Sequence, residues 1–241
     1  MTQRVRQGER VRRRPLWRLV ASRRPNVFAI LTSSSRIFWE FFTGFLFISR
    51  FKKSASFFGS AREALPEQYY MDSEELASRL SMKGFAVITG GNGGIMRSAN
   101  RGSFRVQGES VGVSIRLPRE RGVNEFLTHR KTFRYFFSRK TMLSCGSEIY
   151  IFFPGGFGTL DELFEMLTLV QTKRSDSVPI LLYGKSFWNP LVTFIQEMLA
   201  ETYKTVSLKE GRDLFSVVDS VDEAEHVIDQ MNIMQTRNCI E

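Results

Sequence analysis

The feature that most constrains the fold is a regular alternation, from residue 54 onward, of short apolar segments and longer segments with helical periodicity. The apolar segments are typical of buried strands and comprise residues 54–58, 85–89, 110–115, 149–153, 178–183 and 214–218. The periodic segments comprise residues 67–82, 95–105, 136–143, 159–172, 189–201 and 221–231. Buried strands that alternate with helices predict an α/β fold, a doubly wound parallel sheet with helices on both faces. Residues 117–134 contain Pro118 and Gly122 and are predicted to form a loop.

Three glycine-bearing turns follow three of the predicted strands: Gly59-Ser60, Gly90 to Gly94, and Gly155 to Gly158. Glycine also serves tight turns that bind nothing, so one such turn is weak evidence. Three of them favour a ligand site, because parallel strands gather their carboxyl ends at one edge of the sheet. The sequence has no GxxxxGK[ST] motif and no clean GxGxxG followed by an acidic residue, which argues against ATPase-like and NAD-dependent classes.

The third turn begins the run Pro154-Gly155-Gly156-Phe157-Gly158-Thr159-Leu160-Asp161-Glu162, between a predicted strand and a predicted helix. Glycines let the backbone approach an anion closely, and the first N–H groups of a helix point at it. This pattern predicts a phosphate site. A structural interpretation of the same residues makes Thr159 the helix cap and Glu162 its partner in a capping box.

Arg139 and Lys140 form a basic pair on the predicted helix 136–143. They are either a solvated pair, or Arg139 contacts a phosphate or a carboxylate through its planar guanidinium. The spacing along the sequence does not choose between these alternatives.

The N-terminal segment differs from the rest in charge. Residues 1–53 hold thirteen Arg or Lys but only Glu9 and Glu40, a net charge of +11, so the +9 of the whole chain leaves −2 for residues 54–241. We therefore predict a basic extension, 1–53, and a domain, 54–241, that carries the glycine turns and for which nucleic-acid binding is not expected.

The Arg-rich residues 1–26 are best interpreted as a solvated tail, with a targeting segment or a contact to anionic lipid or nucleic acid as alternatives. Residues 27–51 are interrupted by charged and serine residues, which argues against a transmembrane span. Residues 37–48 predict an amphipathic helix that packs on the domain or on a second subunit. The alternative is weak contact of residues 1–53 with a membrane surface.

The two cysteines, Cys145 and Cys239, stand far apart, and no Cys/His cluster is present. This pattern predicts neither a zinc site nor any other metal site, and it fits the reducing cytoplasm. We expect His129 and His226 to be solvated or locally hydrogen-bonded, since neither lies in a metal or triad motif.

Six features together resemble the LONELY GUY (LOG) family, formerly called lysine decarboxylase-like. PGGFGTLDE resembles the signature PGGxGTxxE, and Arg139-Lys140 stands at the family's distance before Glu162. GGNGGIM and FFGSAR are similar to the family's other nucleotide loops, and the aromatic FRYFF segment and the N-terminal Phe-rich helix resemble its longer bacterial members. The resemblance covers roughly residues 54–232.

This resemblance implies a Rossmann-like fold. It also implies a homodimeric phosphoribohydrolase that needs neither a metal nor another cofactor. Such an enzyme would cleave the N-glycosidic bond of a purine nucleoside 5′-monophosphate, including N6-substituted cytokinin precursors, to the free base and ribose 5-phosphate. The resemblance makes Arg139 and Glu162 the catalytic pair. It assigns substrate binding to Gly59, Ser60, Gly90, Gly91, Gly94, Met96, Lys140, Gly155, Gly156, Gly158 and Thr159.

One residue departs from the family pattern: Arg97 stands where longer members commonly carry an acidic residue and short members a glycine. This departure bears on recognition of the base or sugar and leaves the phosphate loop unaffected. The family's older decarboxylase name is not supported by the sequence, because pyridoxal phosphate chemistry needs a Schiff-base lysine and no motif marks one.

Overall fold

The computed structural model describes residues 27–116, 122–172 and 178–230 and contains a parallel sheet in the order β4-β3-β2-β1-β5-β6-β7. Every strand pair in this sheet is parallel. The strands are β1 Ser54–Phe58, β2 Ala86–Thr89, β3 Ser110–Ile115, β4 His129–Phe133, β5 Ile149–Phe152, β6 Ile180–Tyr183 and β7 Ser216–Val218. The predicted doubly wound α/β fold is confirmed.

Strand β4 corrects the prediction of a loop over residues 117–134. It pairs with β3 at the edge of the sheet, with His129 opposite Val111 and Phe133 opposite Ile115. Its sequence, HRKTF, is mostly polar, and only Phe133 is buried. An edge strand that is solvated on most positions lacks the apolar run by which the other strands were identified.

The helices connect the strands and cover both faces of the sheet. They are α1 Val27–Ile48, α2 Glu67–Met82, α3 Ile95–Arg105, α4 Phe136–Ser144, α5 Phe157–Gln171, α6 Lys185–Thr193, α7 Glu210–Asp213 and α8 Val221–Gln230, with a π-helix at Phe194–Thr202 directly after α6. Helix α1 begins ten residues before the predicted helix 37–48. The end of the predicted helix 221–231 lies outside the described residues.

The apolar core lies in two layers, one on each face of the sheet. Alternate residues of one strand enter opposite layers, as Phe57 and Phe58 of β1 do. Both of these side chains are buried. Strands that are apolar on both faces are what a parallel sheet between two helical layers requires, and burying each such ring contributes about 1.5–3 kcal/mol.

The chain divides into two compact units, one that ends at Trp39 and one that begins at Glu40. Within the second unit, Ile48 at the end of α1 and the following Phe51 are buried in the core. The boundary predicted between residues 53 and 54 stays a prediction. No helix in the described part of the chain is long and apolar enough to cross a membrane, and the tail 1–26 lies outside that part.

Candidate functional site

A cavity of about 700 Å³ opens at the carboxyl ends of β1, β2 and β5. Strand β1 lies between β2 and β5, so the chain turns to opposite sides of the sheet at this point, which is where doubly wound sheets bind ligands. The predicted site residues that line the cavity are Gly59, Ser60, Gly90, Met96, Arg139, Lys140, Gly156, Gly158, Thr159 and Glu162. The structure therefore brings together residues that are up to 103 positions apart in the sequence.

Gly91, Gly94 and Gly155 are not among the lining residues and instead shape the turns behind the cavity wall. Gly94 has a φ of +61°, and a Cβ there would collide with the carbonyl oxygen of Ser60. A Cβ on Gly155 would collide with Oγ1 of Thr159. These positions thus require glycine for backbone conformation or close approach. Their predicted contact with a ligand stays a prediction.

Backbone hydrogen bonds tie the three glycine turns to one another. The N–H of Ser60 donates to the carbonyl oxygen of Pro154 at 3.0 Å, and the N–H of Ile95 donates to the carbonyl oxygen of Ser60 at 3.0 Å. The first turn therefore lies between the other two and bonds to both. A ligand that contacts all three turns would meet a surface that is already assembled.

The third turn leads into α5, which begins at Phe157, two residues earlier than predicted. Gly156 occupies the N-cap position, and no side chain caps the helix. The capping-box interpretation of Thr159 and Glu162 is therefore wrong: Thr159 lies in the first turn of the helix and Glu162 in the second. The unpaired N–H groups at the start of α5 remain available for an anion in the cavity, as the phosphate prediction requires.

Glu162 is 7% exposed, and its Oε2 is buried without a hydrogen-bond partner among the described residues. Burial raises the pKa of Glu162 to about 7, while the positive charges of Arg139 and Lys140 act in the opposite direction. A buried carboxyl group with a pKa near neutrality, in a cavity, has the properties of an acid–base or charge-stabilising group.

Arg139 lies on α4 and reaches the cavity from the β3 side. Its Nε donates a hydrogen bond to the carbonyl oxygen of Val113 at 2.9 Å. Its Nη2 passes so close to Gly90 that a Cβ at that position would collide with it. Glycine in the second turn therefore provides the space through which the guanidinium enters the site.

Lys140, the neighbour of Arg139, connects α4 to α5. Its Nζ lies 2.7 Å from Oδ2 of Asp161 and 3.1 Å from Oε2 of Glu165. Burial lowers the pKa of Lys140, but the two carboxylates outweigh this effect and raise it above its ordinary value. The ammonium group thus fixes the helix of Arg139 against the helix of Glu162, and its predicted contact with substrate stays a prediction.

Aromatic rings and one further cation complete the wall of the cavity and were not predicted from the sequence. Phe58, Phe136, Phe157 and Arg62 line it, and Phe157 is 92% exposed. A phenylalanine at this exposure inside a glycine motif offers a flat surface to a planar ligand. The signal that could have identified Phe157 is its place between two glycines of the phosphate loop.

A buried polar network supports the second glycine turn and was also missed. The N–H of Gly91 donates to Oγ1 of Thr89, which in turn donates to Oδ1 of Asn100 at 2.7 Å. Asn124 donates through Nδ2 to the same oxygen of Asn100, and its N–H donates to the carbonyl oxygen of Gly91. These polar residues come from separate elements, so no local sequence pattern marks them.

Arg97, which departs from the family pattern, does not line the cavity. Its Nε donates to Oε2 of Glu125 at 3.2 Å, and its guanidinium lies 5.0 Å from the ring centre of Phe126. The substitution of an arginine here therefore acts on the segment after β3, outside the described cavity wall.

Comparison with known proteins agrees with this geometry. A family model described as "Possible lysine decarboxylase" matches residues 96–231, more than half of the chain. The chain is 30% identical over 159 residues to a cytokinin riboside 5′-monophosphate phosphoribohydrolase of Arabidopsis thaliana, a match that covers 64% of this chain and 73% of that protein. It is 29% identical over 158 residues to a rice protein named "Probable cytokinin riboside 5′-monophosphate phosphoribohydrolase", covering 64% of this chain and 63% of that protein, less than two thirds of the relative's length.

A solved structure of a protein with a different named role has the same fold. The molybdenum cofactor carrier protein of Chlamydomonas reinhardtii superposes with a TM-score of 0.56 at 18% identity, covering 74% of this chain and 96% of that chain. At this identity the likeness establishes the fold alone.

Proposed function

The chain belongs to the LONELY GUY (LOG) family, and from this membership we propose that it hydrolyses the N-glycosidic bond of purine nucleoside 5′-monophosphates. The products would be the free base and ribose 5-phosphate. The observation that carries the proposal is the presence of Arg139 and Glu162 in one cavity with the glycine turn that begins α5. The cavity thus offers an anion site, a buried carboxyl group and an arginine within the space of one nucleotide.

The phosphate is the group that the start of α5 suits. Gly156 and Gly158 line the cavity beside Thr159, whose hydroxyl offers a further donor. The first N–H groups and the helix dipole favour a dianion at this position. Because β1 and β5 are neighbours, the ribose and base would extend from there towards Gly59 and Gly90.

Glu162 is one helical turn beyond the proposed anion site, so in a bound nucleotide it would lie beside the ribose rather than the phosphate. Glycosidic cleavage passes through an oxocarbenium-like transition state, and a carboxylate stabilises the positive charge that develops on the sugar. In the proposed reaction the bond between C1′ and the base breaks and a bond between C1′ and a water oxygen forms. Glu162 accepts a proton from that water, and the released base takes up one proton, so that one water is consumed.

Arg139 assists by its charge and its position. It is the first of the positive charges that oppose the burial of Glu162 and keep its pKa from rising further. Its bond to the carbonyl oxygen of Val113 fixes the direction of the guanidinium. Fixed groups lower the barrier because they need no reorganisation during the reaction.

The test is incubation of the full chain with a panel of nucleoside 5′-monophosphates, with the free base and ribose 5-phosphate measured by chromatography. The panel contains AMP, GMP, CMP and N6-substituted AMP, and adenosine serves as the control without a phosphate. We expect base release from purine monophosphates and none from adenosine. Glu162→Gln and Arg139→Ala should both lose activity, and unchanged turnover in either variant would remove that residue from the catalytic pair.

The alternative is a nucleotide-binding protein without catalysis on the same scaffold. Its supporting observation is the likeness to the cofactor carrier, which shares the fold and not the sequence. Tight AMP binding by calorimetry, with no base release over hours, would favour this alternative. The proposed homodimer is tested separately, by the mass of the chain in light scattering.

A further inference from the structure

We infer that Glu40, a residue of helix α1 that precedes the nucleotide-binding fold, is a positioning residue of the candidate active site. Its carboxylate holds the first turn of α4, and with it the direction of Arg139. Glu40 lies outside residues 96–231, which the family model matches. The kinetic part of this inference rests on the proposed function, and its structural part does not.

Glu40 bonds to three groups at the start of α4. Its Oε1 accepts a hydrogen bond from the N–H of Arg134 at 2.6 Å. Its Oε2 accepts from the N–H of Tyr135 at 3.2 Å and from the hydroxyl of Ser138 at 2.5 Å. One side chain thereby satisfies two backbone donors and a side-chain donor 94 to 98 residues away in the sequence.

Helix α4 depends on this external partner because its own N-cap residue, Tyr135, makes no side-chain cap bond. The first N–H groups of a helix need acceptors, and a negative charge is favourable at this end. Glu40 is half-buried, and bonds to a charged acceptor in such surroundings are stronger than neutral ones. The carboxylate therefore binds the N-cap N–H, the N–H before it and the hydroxyl of Ser138, and so holds the start of α4.

The packing around Glu40 keeps its carboxylate in place. A Cβ on Gly44 would lie 2.8 Å from Sδ of Met142, so α1 and α4 approach closely one turn further along. The ring of Phe41 stacks on that of Phe137 with 6.0 Å between their centres. Because α1 contacts α4 at several points along its length, the position of Glu40 relative to the start of α4 is fixed.

The connection to the site runs through one residue. Ser138, which donates to Glu40, immediately precedes Arg139, and the N–H of Arg139 bonds to the carbonyl oxygen of Tyr135 at 3.2 Å. Lys140 fixes the same turn to α5 from the other side. Without the carboxylate of Glu40 the first turn of α4 loses its hydrogen bonds to α1, and the guanidinium is held less firmly, by the bond to Val113 without a fixed helix start behind it.

The experiment compares Glu40→Ala, Glu40→Gln and Ser138→Ala with the control Thr43→Val in the full chain. Thr43 lies on the same helix, accepts a hydrogen bond from Lys131 and donates one to the carbonyl oxygen of Glu40, so its variant also loses polar contacts while the carboxylate of Glu40 stays in place. We expect Glu40→Ala to lower kcat for AMP by about 10- to 100-fold with a smaller change in KM, as misplaced catalytic groups do. Glu40→Gln, which keeps one acceptor oxygen, should recover part of the loss, and Ser138→Ala should show a smaller loss than Glu40→Ala.

Two further measurements separate positioning from general loss of stability. Amide hydrogen exchange at Arg134 and Tyr135 should become faster in Glu40→Ala and stay unchanged in Thr43→Val. The pH profile of kcat/KM in Glu40→Gln should shift to higher pH. The positive charges of Arg139 and Lys140 lower the pKa of Glu162, whereas the negative charges of Glu165 and Asp161 raise it. If Arg139 is held less firmly, it lowers the pKa of Glu162 less.

Wild-type kcat and wild-type exchange rates in Glu40→Ala would overturn the inference, and so would equal losses of kcat in Glu40→Ala and Thr43→Val. If Glu40→Ala does not fold, the same comparison is made with Glu40→Gln and Ser138→Ala. If the wild-type chain releases no base at all, the proposed function fails, and the exchange rates alone then decide whether Glu40 holds α4.

Discussion

Replacing Glu162 with glutamine should stabilise the protein in neutral and alkaline solution while it removes the proposed activity. Burial raises the pKa of this carboxyl group from 4.5 to about 7. The folded state therefore binds its proton more tightly than the unfolded state does. The favourable contribution is fully present below about pH 4.5 and is lost as the pH rises through about 7, above which folding buries an ionised carboxylate.

The size of the effect follows from the same shift. One pKa unit corresponds to about 1.4 kcal/mol, so a rise from 4.5 to about 7 corresponds to about 3.5 kcal/mol in the fully ionised limit. Because part of the change has already occurred at pH 5, we expect about 2.5 kcal/mol between pH 5 and pH 8. Glutamine has nearly the same shape and does not titrate, so Glu162→Gln should gain this amount relative to wild type over that interval.

The assay is urea unfolding of the full chain at pH 5 and pH 8, followed by circular dichroism. Glu125→Gln is the control: Arg97 lowers the pKa of Glu125, so its stabilising contribution is lost only as the pH falls below about 4.5. The free energy of unfolding of Glu125→Gln should therefore differ from that of wild type by nearly the same amount at both pH values. A stability difference between Glu162→Gln and wild type that does not change with pH would refute the reasoning about burial.

Four further outcomes test the site. The kcat/KM for AMP should fall as the pH drops through about 7, because Glu162 acts in its ionised form; initial rates of base release from pH 5 to pH 9 measure this. Arg139→Lys keeps the positive charge but loses the planar guanidinium, so kcat/KM should fall about tenfold or more, and full activity would show that charge alone suffices. Gly94→Ala should abolish AMP binding in calorimetry or prevent folding, since its Cβ would collide with the carbonyl of Ser60 at a φ of +61°. Lys140→Met should lower kcat more than AMP affinity, because the ammonium bonds to carboxylates of α5; a loss confined to affinity would make it a substrate ligand.

The parts of the fold that follow from local pattern could be predicted from the sequence. Six apolar segments became strands of one parallel sheet because each is apolar on both faces, which is a property of the residues themselves. The gathering of Gly59, Gly90 and Gly156 followed from the rule that parallel strands end at one edge. The partnership of Arg139 with Glu162 followed from the family resemblance, since no spacing rule would have joined them.

The parts that depend on distant partners could not be predicted in this way. Strand β4 exists because β3 offers a free edge, and its polar sequence gives no sign of it. The helix start at Phe157 was misjudged because Thr159 and Glu162 fit a capping box that the backbone does not form. Glu40 looked like an interruption of an apolar helix, yet its partners lie more than 90 residues further along the chain.

The fold alone does not distinguish an enzyme from a carrier, because a solved structure of the same fold is named a molybdenum cofactor carrier protein. The distinction rests on groups that a carrier has no need to retain. Glu162 is a buried carboxyl group that lowers stability at neutral pH, and Arg139 is held in a direction by Val113 on one side and by the attachments of α4 on the other. A binding site gains nothing from an unsatisfied carboxylate one helical turn from a bound phosphate, since the two negative charges repel each other. The same carboxylate would be favourable once positive charge develops on the ribose in the proposed glycosidic cleavage, so that proposal accounts for Glu162 better than ground-state binding does.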